Sequence, residues 1–111
     1  MSGTQNIEWK DWMEMSRELN LKGFGKHFRI LDAYTIIHTM RGNRIFPFSI
    51  LEMRKELGSS KENGVYMQIY IFTTHDLENG YLMYPAGTHE ADLCESYFQK
   101  CRPSGQNRES F

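Results

Sequence analysis

The stretch VYMQIYIFTT, residues 65–74, constrains this chain more than any other. It holds no Gly, Pro or charge, and it is rich in β-branched and aromatic side chains, so it predicts a strand. Successive side chains of a strand point to opposite faces. Val65, Met67, Ile69 and Ile71 therefore share one face, and Tyr66, Gln68, Tyr70 and Phe72 share the other. Both faces are largely apolar, so each needs cover, either from the chain's own helices or from a partner.

The neighbouring segments supply a sheet for this strand. HDLENG (75–80) reads as a turn and YLMYP (81–85) as the returning strand. Upstream, residues 33–48 read as a second hairpin. AYTIIHTM forms its first strand, Gly42-Asn43 is a two-residue turn signal, and RIFPF returns. Pro47 and Pro85 cannot donate to a ladder, so each marks a strand end or an edge. Residues 24–32 fit either an extension of the first strand or a turn of helix.

Three helices complete the expected architecture. Residues 7–19 place Trp9, Trp12, Met13 and Ser16 at helical spacing, and Gly23 and Gly25 follow as breakers. Residues 49–57 carry a capping box, Ser49 with Glu52, and a stripe of Ile50, Met53 and Leu57. Phe48 and Met53 sit where a hydrophobic staple would place them, and Gly58 offers a stop. Residues 88–101 follow Thr88 as N-cap, with Ala91, Cys94, Phe98 and Cys101 along one side. The predicted fold is α+β, an antiparallel sheet of two hairpins with three helices, in the order α-ββ-α-ββ-α. Residues 1–101 form a single domain, and 102–111, RPSGQNRESF, form a disordered polar tail.

Composition narrows the function classes. The chain has 111 residues, enough for one two-layer core. Its 13 basic and 14 acidic residues leave a net charge of −1, so it lacks the basic excess that draws proteins to phosphate backbones. No apolar run approaches the ~20 residues that a membrane-spanning helix needs. MSGTQNIEWKDW lacks the apolar core of a signal peptide, and two cysteines seven apart make no disulfide framework. The expected setting is cytoplasmic, intracellular and reducing.

The chemistry-bearing residues give no strong constellation. Four histidines, His27, His38, His75 and His89, follow no metal-ligand spacing. Cys94 and Cys101 fall on the apolar side of the last helix and read as small core residues. Gly23-Phe24-Gly25-Lys26 lacks the strand-then-helix context and the GKS or GKT ending of a phosphate loop.

The expected order of elements is similar to that of several folds. They include small homing endonucleases of the LAGLIDADG type, type III secretion chaperones and roadblock-type adaptors. The first helix has no LAGLIDADG-like string, and its exit LNLKGFG lacks the acid that would hold a metal. Order alone does not fix function.

The reading is a non-enzymatic protein-binding module (a small inhibitor, adaptor or chaperone) without a cofactor. It acts through an aromatic and Met-rich surface of Trp9, Trp12, Tyr66, Tyr70 and Phe72, because such rings dominate interfaces. A protein partner is expected, and a homodimer through the sheet or the first helix is compatible with this surface. Membrane binding is not expected and nucleic acid is not favoured. The alternative is a nucleic-acid-binding protein or small metal-dependent nuclease using His75, Asp76, His89 and Glu90. A third option is a small-ligand pocket between sheet and helices.

Overall fold

In the computed structural model the elements run α1 (Trp12–Leu21), β1 (Phe28–Asp32), β2 (Thr35–His38), β3 (Arg44–Ile45), a 3-10 turn (Pro47–Ser49), β4 (Ile50–Ser59), β5 (Tyr66–Thr74), β6 (Asn79–Pro85) and α2 (His89–Gln99). The structure describes residues 11–59 and 64–101. Trp9 and the tail at 102–111 lie outside the described residues. Those that are described form an α+β fold of two antiparallel three-stranded sheets, β1-β2-β3 and β4-β5-β6, with two helices.

The strand at 66–74 is central, as its two apolar faces require. The chain itself covers both. On one face Ile69 and Ile71 pack with Met15 and Leu19 of α1 and with Tyr81. On the other, Tyr70 and Phe72 pack with Cys94, Tyr97 and Phe98 of α2 and with Phe28, Ile30, Ile36 and Ile45 of the smaller sheet. Tyr70 and Phe72 are each 1% exposed. They were expected on a contact surface, and they are core residues instead. The smaller sheet and α2 take the place the sequence reading left for a partner.

Tyrosine hydroxyls tie the layers together, each giving a buried polar tip a partner. Tyr97 donates to the Ile45 carbonyl at 3.0 Å, linking α2 to β3. The Tyr84 hydroxyl accepts from the Ile30 amide at 3.0 Å, linking β6 to β1. Ser16 and Tyr81 share a hydrogen bond of 2.5 Å, linking α1 to β6. Gly80 sits where the two sheets meet. Its neighbours Asn79 and Tyr81 bond the backbone of Gly25, and a Cβ at Gly80 would lie 2.4 Å from the Phe28 ring. Only glycine leaves room for the edge-to-face pair of Phe28 and Phe72, 5.1 Å apart.

The largest departure from the sequence reading is at 49–57, predicted as a helix and found as β4. It pairs with β5 from Ile50 opposite Thr74 to Ser59 opposite Tyr66. The helix-like spacing has a different cause. A bulge between Ile50 and Glu52 makes Leu51 an extra residue, so Ile50 and Met53 fall on the same face despite being three apart. Ordinary alternation then adds Lys55 and Leu57. Positions 50, 53 and 57 thus imitate a helical stripe. Glu52, Arg54, Lys55 and Glu56 lie on an edge strand, where charge discourages unwanted pairing. The order is therefore α-βββ-βββ-α rather than α-ββ-α-ββ-α. Pairing over the length of β5 outweighs the weak local preference for helix.

Two smaller corrections concern the first sheet. Residues 28–32 are a strand, and the expected strand from 33 begins with a turn at Ala33-Tyr34. There Asp32 Oδ1 accepts the Tyr34 amide at 2.8 Å, an Asx turn. The hairpin between β2 and β3 closes through residues 39–43 rather than through Gly42-Asn43 alone. His38 Nδ1 accepts the amides of Met40 and Arg41 at 3.3 and 3.1 Å and organises that loop. The first helix starts at Trp12, with Asp11 as N-cap accepting the Met13 amide at 3.1 Å. The last helix matches expectation, with Thr88 accepting the Ala91 amide.

Candidate functional site

The surface offers several concavities. Two beside β4 are small, ≈ 110 Å³ each. A cleft of ≈ 470 Å³ is larger and distinctive in its lining: Tyr34, Pro47, Phe48, Ile50, His75 and Lys100. These residues come from four places in the chain, and each is held by local structure. The Asx turn at Asp32 presents Tyr34. Pro47 opens the 3-10 turn, where its fixed φ suits the first position, and so sets the direction of Phe48. The Ser49 carbonyl accepts the His75 amide at 2.9 Å, fastening the β5–β6 turn to the rim. Ile50, 3% exposed, forms the floor. Lys100 caps the end of α2.

The rim is aromatic and exposed. Phe48 is 79% exposed and Tyr34 61%. The Phe46 and Phe48 rings stack, centroids 5.7 Å apart and planes 17° from parallel. Lys100 Nζ lies 4.5 Å from the Tyr34 ring centroid, within cation–π range. It also donates to the Ser96 carbonyl at 3.0 Å and the Ser96 hydroxyl at 3.1 Å. Covering a large apolar side chain is worth roughly 1.5–3 kcal/mol relative to leaving it in water. Phe48 forgoes much of that gain in the isolated chain.

The residues singled out from the sequence are dispersed. Trp12 is half-buried at the start of α1, and Tyr66 is exposed at the start of β5. Tyr70 and Phe72 are internal. His75 and Asp76 belong to the β5–β6 turn, whereas His89 and Glu90 open α2. Among the described residues no three His, Cys, Asp or Glu side chains converge on a point, so the nuclease alternative gains no donor set. His75 instead borders the aromatic cleft. Asp76 lines a second, more open concavity with Arg41, Asn43 and Glu78, where Arg41 bonds Glu78 and His38 Nε2 lies 3.9 Å from the same carboxylate.

The cysteines are buried and free. Burial pushes the Cys94 thiol up to about 12 and Cys101 up to about 11. Both stay protonated at neutral pH, which removes the thiolate that a nucleophile or metal ligand needs.

Tyr34, Phe46, Phe48 and Lys100 were missed as site residues. One signal was present: Phe46-Pro47-Phe48 brackets a conformationally fixed proline with two rings. Phe48 had been read as one half of a hydrophobic staple and Tyr34 as a strand residue. No protein-family model, curated protein or solved structure matches the chain.

Proposed function

We propose that this chain is a non-enzymatic protein-binding module that docks its partner at the cleft of Tyr34, Phe48 and Lys100. The observation that carries the reading is the exposure of Phe48 and Tyr34 around a concavity floored by Ile50. Exposed rings grouped around a pocket, in a chain able to bury rings elsewhere, are a mark of interfaces. Their backbones are pinned by hydrogen bonds, which lowers the entropy lost when a partner arrives. The partner-binding surface expected from sequence thereby moves from the face of β5 to the end of the molecule where α2 stops. The chain's own elements pack on both faces of β5, so this reading does not put a homodimer contact there.

Stacked exposed rings also serve single-stranded nucleic-acid binders, but beside a basic groove. Here the lining has one lysine and one histidine, and the whole chain carries −1. A protein partner is the better fit.

The test is affinity for a partner recovered from the native host. Phe48→Ala should weaken it about thirty-fold, the ~2 kcal/mol of an interface hot spot, with circular dichroism unchanged. Tyr66→Ala should leave it unaltered. Equal binding by wild type and Phe48→Ala would reject the cleft.

A further inference from the structure

Resting on the docking reading above, we infer that the cleft takes an apolar or aromatic side chain of a partner segment whose flanking residues are acidic. Lys100 is the one lysine or arginine that lines the cleft. On other surfaces, Lys55, Arg41 and Arg54 each pair with a carboxylate, respectively Glu95, Glu78 and Glu56. Among the described residues Lys100 pairs with none. Its contacts are neutral: the Ser96 carbonyl and hydroxyl, and the Tyr34 ring. An ammonium has three N–H donors, and Ser96 takes two. The third has no hydrogen-bond acceptor among the described residues.

The fold thus fixes a cation at the edge of an aromatic cleft, with no carboxylate paired to it among the described residues. No side chain that lines the cleft is acidic. The nearest carboxylate in sequence to Tyr34, Asp32, is turned to the Tyr34 amide. A carboxylate beside the docked side chain would meet Lys100 next to a low-dielectric ring, where a charge-assisted hydrogen bond is stronger than in open water. The Lys100 ammonium is already held by Ser96 and over the Tyr34 ring, so little side-chain entropy remains to be lost. The lining divides into parts with separate tasks: Phe48, Pro47 and Ile50 receive an apolar group, and Lys100 selects the charge next to it.

The test is selection of random peptides displayed on phage against the full-length chain, followed by affinity measurement on synthetic versions. A short oligothymidine serves as a nucleic-acid probe. The expected peptides carry an aromatic or large aliphatic residue beside Asp or Glu. Their binding should fall about ten-fold or more in Phe48→Ala, and similarly in Lys100→Glu, which reverses the rim charge. Lys100→Gln should give an intermediate loss. Peptides with neutral or basic flanks, lost in Phe48→Ala but unaffected by Lys100→Glu, would overturn this inference while leaving the docking reading standing. Peptides indifferent to Phe48→Ala would overturn both, as would oligothymidine binding that needs Phe48. Circular dichroism on each variant separates loss of fold from loss of contact. Both altered side chains are at the surface or half-buried.

Discussion

At the scale of single residues, two positions show how closely the backbone is specified. Gly80 has no space for a Cβ between the Phe28 and Phe72 rings. Gly80→Ala should destabilise the fold by about 1–3 kcal/mol through overpacking, read as a lower denaturant midpoint with an unchanged slope. Leu77 shows the opposite case. It is the one non-glycine residue among those described with a positive φ, 66°, and its side chain is exposed. A branched side chain there costs about 1–2 kcal/mol relative to a residue that tolerates the left-handed region. Leu77→Asn should therefore stabilise the chain by about 0.5–1 kcal/mol in the same assay. Neither effect is visible in the sequence. A sequence shows the residue types but not the neighbouring rings or the φ angle that decide their consequence. The rings of β5 were legible as two apolar faces, but which elements cover them was not. That depends on where α1, α2 and the smaller sheet pack in three dimensions.

At the scale of elements, β4 is the instructive one. Its helix-like signals are real as local preferences: a Ser-x-x-Glu cap, a stripe at 50, 53 and 57, and a terminal glycine. Such preferences are worth a few tenths of a kcal/mol per residue, while an open edge on a long strand such as β5 offers a ladder over its whole length. A sequence cannot reveal a bulge before the pairing partner is known, and the bulge at Leu51 generates the misleading spacing. Deletion of Leu51 should remove the bulge and leave Ile50 and Met53 two apart, where plain alternation keeps both on the core face. Chemical denaturation should therefore show a loss well below the ~2–5 kcal/mol of a removed buried aliphatic side chain. Ser49→Ala should likewise change stability by less than about 0.5 kcal/mol, because its hydroxyl caps no helix. A loss near 1 kcal/mol would indicate that the cap forms after all. The elements read correctly, β5, β6 and α2 among them, are those whose local and long-range signals agree.

At the scale of the whole molecule, the core's titratable groups set a pH window. Desolvation raises the pKa values of Cys94, Cys101, Tyr70, Tyr84 and Tyr97 above their ordinary ones. Above about pH 9 the unfolded chain sheds protons that the folded chain retains, so stability falls as pH rises. Glu95 behaves in the reverse sense. Hydrogen bonds from Lys55 and Tyr70, both at 2.5 Å, hold its carboxyl below the usual range. Its contribution is present above the ordinary carboxyl range and is lost as pH falls through the folded value. Thermal melts should thus show a plateau near neutrality, with the alkaline fall steeper than the acid one, since five buried groups act on that side. A melting temperature still rising above pH 9 would be inconsistent with thiols and phenols buried as described.

The central proposal is that a protein partner docks at the cleft of Tyr34, Phe48 and Lys100. The most direct measurement is nuclear magnetic resonance mapping of the isotopically labelled chain as the partner is added. The largest shifts are expected at Tyr34, Phe48, Ile50, His75 and Lys100, with α1 and the β4 edge undisturbed. Shifts centred on Trp12 and Met13, or spread along β4 with the cleft silent, would contradict it.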